Sequence, residues 1–150
     1  MIIRKAEQKD LPEIVDLIMS FYAEGLHKSG LSFDRESLLQ TAGLIAESHI
    51  MLVAENGTVQ GVIAGIVSNS MFDYSQKVVE EKIWFISREY RGKGAAIRLF
   101  KTFEKTAKEL GASLIMMVHM ADVMPGKVKK IYSSFGYREI ESHYIKPLGD

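Results

Sequence analysis

No cysteine occurs in this chain, so no disulfide is available to hold it together. That fits a reducing compartment and leaves stability to the core. At 150 residues the chain is about one domain in length, and a domain of that size buries roughly 68–70% of its unfolded surface. A single domain over residues 1–150 is expected. Net charge is also missing, because nineteen Lys and Arg side chains cancel nineteen Asp and Glu. The balance argues against nonspecific nucleic-acid affinity and against a polybasic membrane anchor. No apolar run approaches the ~18 residues of a membrane span, and the opening MIIRKAEQKD has no apolar signal core. A cytoplasmic protein without a membrane partner is expected. Its four histidines, His27, His49, His119 and His143, have no paired ligand spacing and give no metal site.

What the chain does have is a chemically loaded stretch from Glu80 to Gly111. It opens as the β-prone run Ile83-Trp84-Phe85-Ile86, breaks at Ser87-Arg88-Glu89-Tyr90, and passes through Arg91-Gly92-Lys93-Gly94-Ala95-Ala96 into an amphipathic helix. The first N–H groups of a helix lack intrahelical partners, and the macrodipole adds partial positive charge there. Gly92 and Gly94 carry no Cβ, so phosphates can approach the backbone, and Arg91 and Lys93 add two cations. The spacing predicts a pyrophosphate cradle. A Walker-type loop is excluded, since Ala95 and Ala96 stand where Lys and Ser or Thr would be needed. A dinucleotide fingerprint fails at Ile97, which replaces its third glycine, and Glu109 is the best-placed acid for a ribose yet lies inside the same helix.

Arg91, Gly94 and Ala96 do fit Arg-x-x-Gly-x-Ala. That wording resembles the acyl-CoA pyrophosphate motif of the GNAT N-acetyltransferase superfamily, and with the C-terminal signature below the resemblance covers nearly the whole chain. It implies an α/β domain with a mixed, mostly antiparallel sheet, helices on both faces, and two central strands splayed around acetyl-CoA. The backbone of Phe85 and Ile86 would hydrogen-bond the pantetheine arm, and residues Arg91, Gly92, Lys93, Gly94, Ala95 and Ala96 would hold the pyrophosphate.

Periodicity along the rest of the chain is compatible with that fold. Ile2–Ala6 reads as a strand, and Asp10 as the cap of a helix carrying Pro12, Ile14, Val15, Leu17, Ile18, Phe21 and Tyr22. Gly25 and Gly30 bracket a loop with His27, and a second helix runs from Asp34 to about Glu47. In the superfamily these helices and their loop form one wall of the acceptor site, which makes His27 a candidate substrate contact. Ile50–Glu55 and Thr58–Ser68 flank Asn56-Gly57, a pair suited to a type I′ turn. Gly61 and Gly65 mark bulges or close packing. Val78–Ser87 feeds the cradle, Ala95–Leu110 is the helix, and Ser113–Val118 is a compact apolar strand. His119, Met120, Ala121 and Asp122 lie at its C-terminal end, where open sheets hold ligands, so His119 is a second candidate for substrate binding and a candidate base, beside the reading that it is structural. A short helix is predicted over Val128–Phe135 and a closing strand over Arg138–Pro147.

The resemblance also implies a reaction, attack of a neutral amine on the thioester of acetyl-CoA. Glu80 falls six residues before Ile86, where the histone-acetylating branch places its general base. On an ideal strand Glu80 shares a face with Lys82, Trp84 and Ile86, whereas a bulge would swap it with Glu81, so both acids stand beside the reading that each is a solvated charge. Tyr132, with Gly136 and Tyr137, matches the superfamily's Tyr-x-x-x-Gly-aromatic spacing. It is the candidate acid for the departing thiolate, or else a ring packed under the short helix with its hydroxyl satisfied by backbone. Pro125 and Val128 stand where asparagine and alanine are common, which removes one polar contact to the cofactor arm. Expected partners are a small-molecule, peptide or protein amine, with a second copy of the chain kept as a candidate partner that no sequence feature supports. Two rivals remain open, a noncatalytic CoA-binding or interaction module and an acetyltransferase acting on aminoacyl-tRNA.

Overall fold

The computed structural model describes residues 1–121 and 123–149; Asp122, named above at the strand end, lies outside them. Five strands form one sheet in the order β1-β2-β3-β4-β5. They are β1 (Ile2–Lys5), β2 (Ile50–Asn56), β3 (Thr58–Asn69), β4 (Lys77–Ile86) and β5 (Leu114–Met116). The first four pair antiparallel, and β5 joins β4 in parallel. Among the described residues four α-helices accompany the sheet, α1 (Leu11–Glu24), α2 (Arg35–Ser48), α3 (Ala95–Glu109) and α4 (Pro125–Ser134). No helix among the described residues is long and apolar enough to cross a membrane.

Alternation along the strands sends side chains to two cores. Met51, Val53, Val62, Ala64, Ile83 and Phe85 meet Ile14 and Leu17 of α1 and Ala42 and Ala46 of α2. Ile50, Leu52, Ala54, Ile63 and Ile86 meet Leu99, Phe100, Phe103 and Ala107 of α3, with Tyr132 of α4. The helices therefore cover both faces, as expected from a period of 2 set against a period of 3.6. Glycine lets α3 come close. A Cβ on Gly61 would collide with Ile86, and one on Gly65 would lie 2.6 Å from the Phe103 ring and 3.0 Å from the Glu80 carbonyl.

Gly65 is also where the β3–β4 register slips. Ala64 faces Ile83 and Gly65 faces Glu81, so Lys82 is left over as a bulge. Its consequence is a change of side-chain parity: Val79 packs in the same core as Trp84 and Ile86, not with Ile83 and Phe85. The bulged alternative, not the ideal strand, is the one this chain adopts.

Several expectations need correction. No strand forms in residues 138–149, where a closing strand was predicted. Ile140, Tyr144 and Ile145 stay exposed there, so the segment has no buried face to fix a register, and β5 offers an edge only three residues long. The hairpin at Asn56-Gly57 is not type I′, because Asn56 stays in register opposite Thr58 and only Gly57 takes positive φ, 78°. Asp10 makes no side-chain cap to α1; its carboxylate instead takes the Glu7 N–H at 2.8 Å and the Arg4 guanidinium. Asp34 does cap α2, accepting from Ser37 N–H at 2.8 Å. The last helix begins at Pro125, three residues earlier than predicted.

Candidate active site

Beyond the bulge, β4 outruns its outer neighbour. The β4–β5 ladder holds three pairs, Val78 with Leu114, Val79 with Ile115 and Glu80 with Met116, and then stops. β4 continues through Trp84, Phe85 and Ile86, still paired to β3 on its other edge. Six residues of β4 thus have no ladder partner on the β5 side among the described residues. Such an edge is free to take an extended ligand as an added strand.

The cradle follows directly. A 3₁₀ turn (Arg88–Tyr90) leads into Arg91, and then Gly92 and Gly94 adopt φ of 77° and 80°. Both angles lie in the left-handed region that glycine enters without steric cost. A Cβ at either position would point into open space, so both glycines front solvent. Arg98 N–H closes the first helical bond, to Gly94 O at 3.1 Å. The N–H groups ahead of it in α3 have no intrahelical acceptor and point out of the N-terminus. Such an N-terminus attracts an anion.

Arg91 itself is turned away from that mouth. Its Nε donates to Ile86 O at 3.0 Å, its terminal nitrogen bonds both oxygens of Glu24 at 2.8 and 3.0 Å, and its guanidinium lies 4.9 Å from the Phe85 ring centre. Arg88, a second cation, adds a third bond to Glu24 at 3.0 Å. Burial alone would raise the Glu24 carboxyl, but the two arginines hold it below its ordinary value. Glu24 ends α1, so this cluster ties the α1 face to the cradle. Beside it lies a cleft of about 340 Å³ between α1 and the end of β4, lined by Leu17, Ser20, Phe85 and Ser87 among others. Lys93 rests over Tyr90, its Nζ 5.0 Å from the ring centre.

At the head of the gap the two acids of β4 part company. The Glu80 side chain is half-exposed, 3.5 Å from Lys82 Nζ. Glu81 is buried, and its carboxylate accepts the Val118 N–H at 3.0 Å. Burial pushes that carboxyl up to about 7, against smaller lowering effects from the Val118 bond and Lys82. The carbonyl of the same Val118 accepts the Tyr132 hydroxyl at 2.6 Å. Burial first, then the nearby Glu81 and Tyr137, raise the Tyr132 phenol well above its ordinary value. Trp84, 6.1 Å from the Tyr132 ring, and His119 flank this network. Trp84 Nε1 and His119 Nδ1 are buried without a partner among the described residues. One sits on each arm of the splay, and a buried polar atom without a partner carries an uncompensated desolvation cost.

The remaining sequence candidate stands apart. His27 is exposed in the 3₁₀ turn after α1, with Nδ1 3.1 Å from the Tyr22 carbonyl. The sequence reading missed Glu24, which lies 67 positions from Arg91 and carries no local signal, and Val118, whose role is entirely main-chain.

A mixed sheet whose parallel β4–β5 ladder ends after three pairs, with a glycine-lined helix N-terminus beyond the opened edge, defines an α/β scaffold with one free strand edge beside an anion-attracting turn. The Acetyltransferase (GNAT) family model matches residues 11–136, and the chain belongs to that family. Its fold is similar to that of glucosamine-6-phosphate N-acetyltransferase from Arabidopsis thaliana, with TM-score 0.75 and 15% identity over 99% of this chain and 98% of that one. Ribosomal-protein-alanine N-acetyltransferase from Brucella melitensis aligns with TM-score 0.74 and 16% identity, over 99% and 100%. An aminoglycoside acetyltransferase from an uncultured soil metagenomic sample does so with TM-score 0.74 and 16% identity, over 99% and 98%. No curated protein matches the chain.

Proposed function

We propose that the protein transfers an acetyl group from acetyl-CoA to a primary amine of a small molecule, peptide or protein, by direct attack in a ternary complex. The observation that carries this reading is the end of the β4–β5 ladder at Glu80 and Met116, with the cradle at the far end of the opened edge. The free edge of β4 at Phe85 and Ile86 would pair with the pantetheine arm, and the mouth from Arg91 to Ala96 would take the pyrophosphate. A C–N bond forms as the C–S bond breaks. The bulge turns Glu80 to the face of Ile83 and Phe85, on the side of the α1 cleft. From there Glu80, or a water that it polarises, takes the proton from the amine; the Ile86 amide polarises the thioester carbonyl; Tyr132 returns a proton to the thiolate. Burial keeps the Tyr132 phenol protonated at neutral pH and also makes it a weaker acid than an exposed tyrosine.

The fold neighbours act, by their names, on an amino sugar phosphate, a ribosomal protein and aminoglycosides. All three are amine acceptors on one scaffold, so the acceptor is set by loops and not by the sheet. The cleft between α1 and β4, with His27 on the α1–α2 wall and His119 on the other arm of the gap, is where we place acceptor recognition. We read the chain as one domain acting in the cytoplasm; the reading requires neither a metal nor a nucleic-acid partner and is compatible with a homodimer.

Calorimetric titration with acetyl-CoA, NAD and ATP tests the cradle. Saturable binding of acetyl-CoA alone is expected, and Gly94→Asp should abolish it with the circular dichroism spectrum intact. An aspartate there adds negative charge at the mouth and a side chain at φ 80°. Unchanged binding sinks the assignment. One observation favours a second reading, a noncatalytic CoA-binding module: the Tyr132 proton is already given to Val118 O. Full turnover by Tyr132→Phe would remove Tyr132 from the mechanism, and absence of turnover with any amine despite tight acetyl-CoA binding would favour the module.

A further inference from the structure

Where a regular sheet would continue the β4–β5 ladder, a side chain stands in. Glu81 reaches from β4 across the splay to the N–H of Val118, two residues beyond the last ladder partner, Met116. The Val118 carbonyl in turn carries the Tyr132 hydroxyl from α4. One carboxylate thus links three elements that meet at the head of the gap. We propose that Glu81 is a positioning residue for acyl transfer, fixing Val118 and through it both the width of the splay and the placement of the Tyr132 hydroxyl. The proposal rests on Tyr132 acting as the acid, and it gives Glu81 a role distinct from that of Glu80.

Three observations support it. Glu81 is 5% exposed, so bulk solvent is largely kept from its contact. The bulge at Lys82 turns Glu81 toward the face occupied by Trp84 and Tyr132, and Gly65 with Phe103 holds that bulge in place. Finally, the carboxylate has no arginine or lysine bonded to it. Among the described residues the titratable groups that act on it or share its network are Lys82 on its own strand and Tyr132 on α4, with Tyr137 behind and His119 next to Val118. A purely structural acid would be expected to have a cation. An ionised carboxylate makes the stronger, charge-assisted bond to the Val118 N–H, so loss of the charge loosens the tether.

The test uses the chain's single tryptophan, which stacks on Tyr132 in the gap. Trp84 emission in the ligand-free protein should shift with a midpoint near pH 7, and the midpoint should vanish in Glu81→Gln yet persist in His119→Gln. Glutamine keeps an acceptor for Val118 N–H, so Glu81→Gln should retain kcat within about threefold, whereas Glu81→Leu should lose on the order of 100-fold in kcat through misplacement of the acid. Acetyl-CoA affinity, read by calorimetry, should change far less than kcat. The proposal is overturned if Glu81→Leu turns over like the wild type, or if Glu81→Gln keeps the emission midpoint. Failure of the functional reading looks different: wild-type protein would then bind no acetyl-CoA or acetylate no amine, while the Trp84 titration still followed Glu81.

Discussion

Asp10 and Glu81 are buried to the same degree, 5% exposed each, and the chain treats them in opposite ways. Asp10 receives two bonds from Arg4, at 2.7 and 2.9 Å, and the Glu7 N–H at 2.8 Å. Arg4 is itself fixed by Glu55 across the β1–β2 pair at 2.6 Å. The Arg4 bond outweighs burial and holds the Asp10 carboxyl below its ordinary value. Glu81 has one main-chain donor, and burial wins. At the β1 end the desolvation cost is offset by a bidentate cation, and the result is a structural clasp joining β1, β2 and the entry to α1. At the head of the gap that cost is left largely unmet. Perturbed, unpaired acids of this kind gather where chemistry needs them.

The sharpest way to break the contrast is to take the cation from Asp10. Arg4→Ala leaves a buried carboxylate with only a main-chain partner, and should cost about 3 kcal/mol or more, since removing one partner of a buried pair strands the other. Urea denaturation at pH 7 reads it. A loss below about 1 kcal/mol would show that the clasp matters little.

Glu81 should respond with the reverse sign. Its folded-state value of about 7 lies above the ordinary 4.5. Between those two values the folded protein holds a proton that the unfolded chain has released, so this group's contribution to stability falls as pH rises from 4.5 to 7 and stays low above 7. A shift of that size corresponds to roughly 3 kcal/mol. Glu81→Gln should therefore match the wild type near pH 4.5 and exceed it by up to that amount at pH 8, while Asp10 contributes stability above its ordinary value of 3.8 that is lost in acid. Denaturation curves for both proteins at pH 5 and pH 8 decide it; a constant difference between them would refute the assignment.

These two acids also show what a sequence can disclose. The strand, glycine turn and helix from Ile83 to Glu109 were legible because every signal in them is local. Apolar alternation, two glycines at positive φ and an amphipathic period all fall within one contiguous run. The choice between Glu80 and Glu81 was not legible. It depends on a register slip at Gly65, which lies eighteen positions before that run begins and packs closely against Phe103. The Glu24–Arg91 pair was invisible for the same reason, and the Arg4–Asp10 pair was mistaken for a helix cap because Asp before Pro12 satisfies a local rule. The predicted closing strand failed in the other direction. Its alternation is real, but alternation specifies a strand only when one face has a core to enter.

Glu24 falls between the two extremes and supports the smallest prediction. Its side chain is 14% exposed and has two cations, but Arg88 is 77% exposed, so that third bond is screened and contributes little. Arg91 is the partner that counts, and it is also the only arginine of the proposed pyrophosphate mouth. Glu24 therefore competes with an incoming phosphate for the same guanidinium. Glu24→Gln removes the competing charge and weakens the hold on the guanidinium's terminal nitrogen, while Ile86 O still anchors Nε and the Phe85 ring still lies beneath it. The charge at the mouth becomes more positive by one, and an exposed-to-half-buried pair of this kind is worth up to about 1 kcal/mol. Acetyl-CoA affinity should rise about two- to fivefold in the variant at low salt, and the gain should shrink as ionic strength increases. Weaker binding in Glu24→Gln would mean that Glu24 orients Arg91 for the phosphate instead of withholding it, and would move Glu24 from the side of Asp10, where an acid serves the fold, to the side of Glu81, where it serves the site.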